Sequence, residues 1–168
     1  MAISAATWVP VDRIGLDQPI DETSTTQKYK TGTRVRCRDT SSNDRGEATF
    51  QYAKGVASVA AGDVCVISPK GDAAIRTVAR SIGQLGVAMA AVVASNWGWF
   101  QIDGTAIVNV LASFADDVAC YLTSTAGSLD DAVVAGDQVL GARSAGAIDT
   151  GQALIEVRFP FAGDTDNT

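Results

Sequence analysis

The chain has 168 residues, 46% of them hydrophobic and 19% charged, which is enough for one domain that buries its core without disulfide or metal staples. A net charge of −6 weighs against a polyanionic partner such as nucleic acid, and the absence of any histidine removes Ser-His-Asp and Cys-His nucleophiles and HExxH zinc sites. Sixteen glycines among many alanines point to a turn-rich β protein rather than a disordered chain.

In chain order, Met1 to Ala6 has neither the basic flank nor the sustained apolar stretch of a secretory signal, so the expectation is a protein that stays in the compartment where it is made. Residues 1–32 carry only isolated apolar anchors, Trp8, Val9, Val11 and Ile14, ahead of the polar run Asp21 to Gln27. They read as an extended N-terminal arm, dispensable for folding, that either packs across its own domain or reaches a neighbour. Pro10 cannot donate to a ladder and suits an edge strand or a polyproline-like segment.

Residues 33–162 break into short alternating runs bounded by Gly, Pro, Asp, Asn or Ser, the pattern of an all-β barrel or sandwich, with a jelly roll among the topologies. Strands are predicted at 33–39, 47–54, 63–68, 73–79, 84–94, 97–103, 105–111, 117–123, 138–144 and 152–159. The 84–94 segment has alanines that favour a helix, but its β-branched residues favour a strand. Its apolar run, Leu85 to Ala94, falls well short of the ~20 residues that cross a bilayer, so no membrane partner is expected. Ser68 to Asp72 reads as a hairpin turn, and Asp103-Gly104 as a tight turn between two strands. Residues 163–168 read as a fraying acidic tail.

Candidate chemistry is sparse. Neither GxGxxG nor a phosphate-binding GxxxxGK[ST] occurs. The pairs Asp116-Asp117 and Asp130-Asp131 would point to opposite faces of a strand and read as turn or loop aspartates. Gly62-Asp63, Asp116-Asp117 and Gly136-Asp137 each precede an apolar run, either as ordinary turn chemistry or as a pseudo-repeated layer. Cys37, Cys65 and Cys120 are an odd number, each flanked by apolar residues, and read as buried free thiols. No enzyme activity, cofactor or metal is expected.

Two constellations suit contact. Arg34, Arg36 and Arg38 alternate with Val35 and Cys37, which puts three guanidinium groups on one strand face. That face is either solvated or a docking strip for an acidic protein surface. In Trp97 to Gly104, residues Trp97, Trp99 and Gln101 share one face while Phe100 and Ile102 point to a core, and Gly98 leaves room for a ring to lie flat on the backbone. The tryptophan face must be covered by another layer of the domain or by a second subunit, with sugar stacking a third reading. Phe159 and Phe161 on the last strand are further candidate contacts.

The segments Glu47 to Val56, Ala61-Gly62-Asp63-Val64, Gly86-Val87-Ala88 and Trp97 to Gly104 resemble those of the capsid decoration, or cement, proteins of tailed bacteriophages. So do Tyr121-Leu122-Thr123, Val139-Leu140-Gly141-Ala142 and Gly151-Gln152-Ala153. The resemblance spans roughly 46 to 158 and is one of strand and turn order. It implies a structural virion protein, made in the bacterial cytoplasm and bound to the outside of the head, with the major capsid protein as partner and no active site. Self-association as a dimer or trimer is the accompanying expectation. Expected contacts are Trp8, Val9, Val11, Ile14, Arg34, Arg36, Arg38, Trp97, Trp99, Phe159 and Phe161. The alternative from another class is a carbohydrate- or receptor-binding module of a phage tail.

Overall fold

Period-two alternation in runs too short for helices drives this chain into strands, and the turns between them set how those strands meet. The computed structural model of the protein describes residues 7–11, 15–41, 45–146 and 151–163. Its strands are β1 (Trp8–Pro10), β2 (Arg34–Asp39), β3 (Glu47–Lys54), β4 (Val64–Ile67), β5 (Ala74–Arg76), β6 (Gly83–Ala88), β7 (Trp97–Asn109), β8 (Ala119–Leu122), β9 (Leu129–Asp130), β10 (Gln138–Ser144) and β11 (Gln152–Ala162). The domain is all-β, and no helix long and apolar enough to cross a membrane occurs among the described residues.

One antiparallel sheet runs β1-β2-β3-β7-β6-β11-β10-β8-β9, with β4 joined to β6 and β5 to β4. Strands β6, β7 and β11 each pair with the other two, which curls the sheet back on itself into facing layers. Pro10 sits on the edge strand β1, where its missing N–H leaves no gap in a central ladder.

Four turns that open strands share one conformation. Gly32, Gly62, Gly127 and Gly136 all have φ of 82–83°. The residue after each donates its N–H to the carbonyl three positions back: Thr33 to Lys30, Asp63 to Ala60, Ser128 to Thr125 and Asp137 to Val134, at 3.0–3.2 Å. These are type II turns, which require positive φ at the third position. The Gly-Asp echo at 62–63 and 136–137 is therefore turn chemistry. Both aspartates are buried and cap backbone donors, Asp63 that of Ala60 at 2.8 Å and Asp137 that of Arg80.

Two predicted boundaries fall elsewhere. Asp103-Gly104 makes no tight turn, because β7 runs through it as a single 13-residue strand. The first half of β7 pairs with β3 and the second with β11, and the register with β3 shifts between Phe50 and Thr49, where the strand changes course. Gly104 has φ of +99°, and a Cβ there would lie 2.7 Å from the carbonyl oxygen of Glu47. The 84–94 run is strand only to Ala88. Beyond it the chain leaves the sheet, and Val92 folds over Gly98, with its Cγ2 2.6 Å from where a Cβ would stand. Gly98 thus makes room for a valine and not for an aromatic ring. Strand β9 has no counterpart among the predicted runs.

Three apolar clusters form the core. The largest joins β4, β6, the second half of β7 and β8 to β11 through Leu85, Val108, Leu122 and Ile155. A second holds Phe100 and Ile102 with Cys65, Ile67 and Val92, as predicted for that face of β7. The third packs Trp99 with Phe50, Tyr52, Cys37 and Ile20, flanked by Leu16 and Tyr29.

Residues 15–30 form the layer that covers Trp99. Its ring is fully buried, 5.0 Å from Tyr52 and 5.2 Å from Tyr29 between centroids. Buried indole and phenol groups need partners, and Gln18 supplies them. Its carbonyl accepts the Trp99 Nε1–H at 3.0 Å, its Oε1 accepts the Tyr52 hydroxyl at 2.8 Å, and its Nε2 donates to the carbonyls of Glu22 and Trp97 at 2.8 and 3.1 Å. Of the two readings of the N-terminal segment, its described part at 15–30 packs across its own domain, as a wall of the core. Replacing Gln18 by alanine leaves the Tyr52 hydroxyl proton without an acceptor, while its oxygen keeps the Lys28 N–H at 3.2 Å and the Trp97 carbonyl keeps the Ser24 N–H at 3.0 Å, so urea unfolding should register a loss of about 1–3 kcal/mol. Deleting residues 1–32 should abolish soluble folded protein.

Candidate functional site

Strand β2 alternates charged and apolar residues, and the sheet sorts them. Arg34, Arg36 and Arg38 are exposed on one face, while Cys37 and Asp39 are buried on the other. Strand β1 adds apolar neighbours to the arginine face. Val9 lies opposite Arg38, and Val11 donates its N–H to the Arg36 carbonyl, leaving both valines exposed beside the guanidinium row. Across its exposed face, the start of β2 meets the end of β11 through side chains. The Arg34 guanidinium stands 5.9 Å from the Phe159 ring centroid, in cation–π contact, while its Nε donates to Gln51 Oε1 at 3.0 Å. Gln84 Nε2 reaches the same Gln51 oxygen at 3.3 Å, and Phe161, paired with Gln84 and with Leu140, continues the exposed apolar strip.

Phe159 is held in a costly conformation. Its φ is +45°, a region that suits glycine or asparagine, and the ring is 54% exposed. The strain follows from the bend that carries β11 from β7 onto β6: three β11 residues, Arg158 to Pro160, stand opposite Gly141 alone. Gly141 has φ of +72°, and a Cβ there would lie 2.5 Å from the Arg158 carbonyl oxygen.

Sequence-expected contacts therefore separate into two groups. Val9, Val11, Arg34, Arg36, Arg38, Phe159 and Phe161 gather along one exposed strip. Trp8, Trp97 and Trp99 stand on the opposite side of the sheet. Trp99 belongs to the core and offers no surface, a correction whose cause is the covering layer around Gln18. Trp8 packs edge-on against Phe50, and Trp97 is half-buried with Lys54 Nζ 5.2 Å from its ring centroid. Ile14 lies outside the described residues. Leu140 was not singled out from the sequence; its alternation with Val139 was the available signal.

Charges on the arginine face are partly matched. Arg36 pairs with Glu47, Arg158 with Glu156 at 2.6 Å, and Arg143 with Asp117 at 3.6 Å, all exposed pairs of small individual worth. A cleft of about 290 Å³ opens between Glu47, Asp103, Glu156 and Arg158. The Arg158 guanidinium, through its hydrogen bond and its charge, holds the Glu156 carboxyl below its ordinary pKa, which fixes it as an anion and not as a proton donor. No group of three or more His, Cys, Asp or Glu side chains suited to a metal ion occurs among the described residues.

The three cysteines are free and buried. Burial pushes the Cys37 thiol up to about 11 and that of Cys120 to about 12, and raises Cys65 further. No thiolate is present at neutral pH to act as nucleophile. Asp39, buried at the end of β2, anchors β1 and the β2–β3 loop. Its Oδ1 accepts the N–H groups of Thr7 and Ser41 at 3.1 and 2.8 Å, and its Oδ2 that of Arg45 at 3.2 Å. Burial works to raise its pKa, but the donors of Ser41, Arg45 and Thr7 together prevail and hold it below the ordinary value.

Comparison with protein-family models, with curated proteins and with solved structures finds no match to this chain.

Because the Asp39 pKa is depressed on folding, its contribution is present above the unfolded-chain value of about 3.9 and is lost as pH falls through the lower folded value. Asp39→Asn should cost about 1–3 kcal/mol at pH 7 and flatten the acid limb of a stability–pH curve below about pH 4. A thiol reagent at pH 7.5 should label none of the cysteines in the native protein and all three after unfolding.

Proposed function

We propose that this chain is a structural virion protein, a decoration protein that binds the outside of a tailed-phage head and stabilises the expanded lattice of the major capsid protein. The observation that carries the reading is the strip formed by Val9, Val11, Arg34, Arg36, Arg38, Phe159 and Phe161. It combines aromatic rings, aliphatic side chains and arginine forks, the residue types favoured at protein interfaces, on a chain otherwise acidic. Arginine forks recognise carboxylates bidentately, which suits an acidic patch on the lattice. A ligand that binds only the expanded state stabilises that state by mass action, and self-association into a dimer or trimer multiplies modest contacts through effective concentration.

Burial of Trp99 leaves the tail-module alternative one half-exposed tryptophan, Trp97, in place of a paired stacking platform. The decisive test is co-sedimentation of the purified protein with expanded, undecorated heads, with unexpanded heads as control. Saturation at a fixed ratio to the capsid protein on expanded heads only is expected. Replacing Arg34, Arg36 and Arg38 together by glutamate should abolish attachment while leaving the exposed strand folded. Absence of binding to either form would overturn the reading.

A further inference from the structure

Along β11, side chains alternate inward and outward as far as Arg158. Ala153, Ile155 and Val157 are buried in the largest core cluster, which makes position 159 the next inward place. Phe159 is instead exposed, and beyond it the alternation resumes one residue out of step, with Pro160 and Ala162 buried and Phe161 exposed. The extra residue opposite Gly141 causes the shift, since a bulge re-aims the side chains that follow it. This placement strains the backbone. Among the described residues, ten glycines have positive φ; of the five other residues that do, Arg80, Ser95, Ser113 and Asp117 are polar, and Phe159 alone is apolar. A large apolar side chain is thus turned out of the core at a position where glycine or asparagine would sit without strain.

We propose that Phe159 is the anchor of the docking strip, seated in an apolar hollow of the partner protein whose rim carries a carboxylate for Arg34. The inference rests on the decoration reading and names the feature that the capsid protein must present. Arg34 stands 5.9 Å from the Phe159 ring centroid, and its Nε is taken by Gln51 Oε1. The two terminal nitrogens keep their N–H donors for an incoming carboxylate, beside the ring. Phe161 and its cross-strand partner Leu140, both exposed, widen the apolar contact. Aromatic side chains and arginine are enriched at protein interfaces, where a few desolvated residues carry most of the binding energy. A second copy of this chain is the poorer occupant, because a two-fold contact centred on Phe159 sets Arg34 of one copy against Arg34 of the other.

The test compares full-length wild type, Phe159→Asn and Phe159→Ala by urea unfolding, sedimentation velocity and co-sedimentation with expanded, undecorated heads. Both substitutions remove the ring, and of the two only asparagine tolerates the backbone conformation. Phe159→Asn should therefore unfold at a higher urea midpoint than Phe159→Ala. Both variants should sediment as the wild type does, and both should attach to heads about thirtyfold more weakly, the loss of one interface anchor. An asparagine midpoint no higher than that of alanine, or a smaller assembly in the variants, which places the ring between copies, would overturn the proposal. Attachment that survives loss of the ring sinks the anchor alone, whereas wild-type protein that binds no heads sinks the decoration reading and the anchor with it.

Discussion

Everything in this fold hangs on a strand that must bend. β7 spans 13 residues and belongs to two neighbourhoods, pairing with β3 over its first half and with β11 over its second. A straight strand of that length would run about 40 Å end to end, at ~3.3 Å per residue, and would hold the centres of its two partners about 20 Å apart along it. Gly104, with positive φ and with the Glu47 carbonyl where a Cβ would stand, lets the strand turn between them. The bend allows Phe100 and Ile102 to serve one core cluster while Ala106 and Val108 serve another. β11 answers it with its own bend at Phe159, where it passes from β7 to β6.

Bending the sheet leaves the face that carries Trp99 and Tyr52 without a strand layer. The polar segment at 15–30 covers it, and does so by hydrogen bonding as much as by apolar contact. Indole and phenol groups sealed from water each demand a partner, and Gln18 supplies two of them from its backbone carbonyl and its side-chain oxygen. A leucine at position 18 would bury similar area and leave the Tyr52 hydroxyl proton without an acceptor. The arginine face of β1 and β2 has no such cover and stays open to solvent.

How much of this was legible follows from what local pattern encodes. β3 and β10 match their predicted spans residue for residue because alternation and flanking turn residues agree there. The buried thiols were legible for the same local reason. Gly104 and Gly98 were misread because a glycine records only that a Cβ is excluded; whether a turn, a bend or an approaching valine excludes it is decided by residues far away in the chain. Residues 15–30 lacked apolar periodicity, so their burial was invisible to pattern reading; the polar bonding of Gln18 substitutes for it. The meeting of Arg34 with Phe159 joins residues 125 positions apart through sheet closure, which no local pattern records.

Phe159 is the place where stability and presentation conflict. A non-glycine residue in the left-handed region costs about 1–3 kcal/mol, and glycine or asparagine at this bend would relieve it. A phenylalanine that is more than half exposed recovers little of that cost by burial within its own chain. The Arg34 guanidinium recovers part, and in doing so fixes the ring beside the arginine row. Strain retained under an exposed aromatic side chain makes better sense if the ring is buried elsewhere, against a partner, where its apolar area yields the return that the isolated domain lacks. The same reasoning separates a protein partner from nucleic acid. Phosphates reward cationic charge, but they give nothing to Val9, Val11, Phe159 and Phe161, which an acidic, partly apolar protein surface would cover together with the arginines.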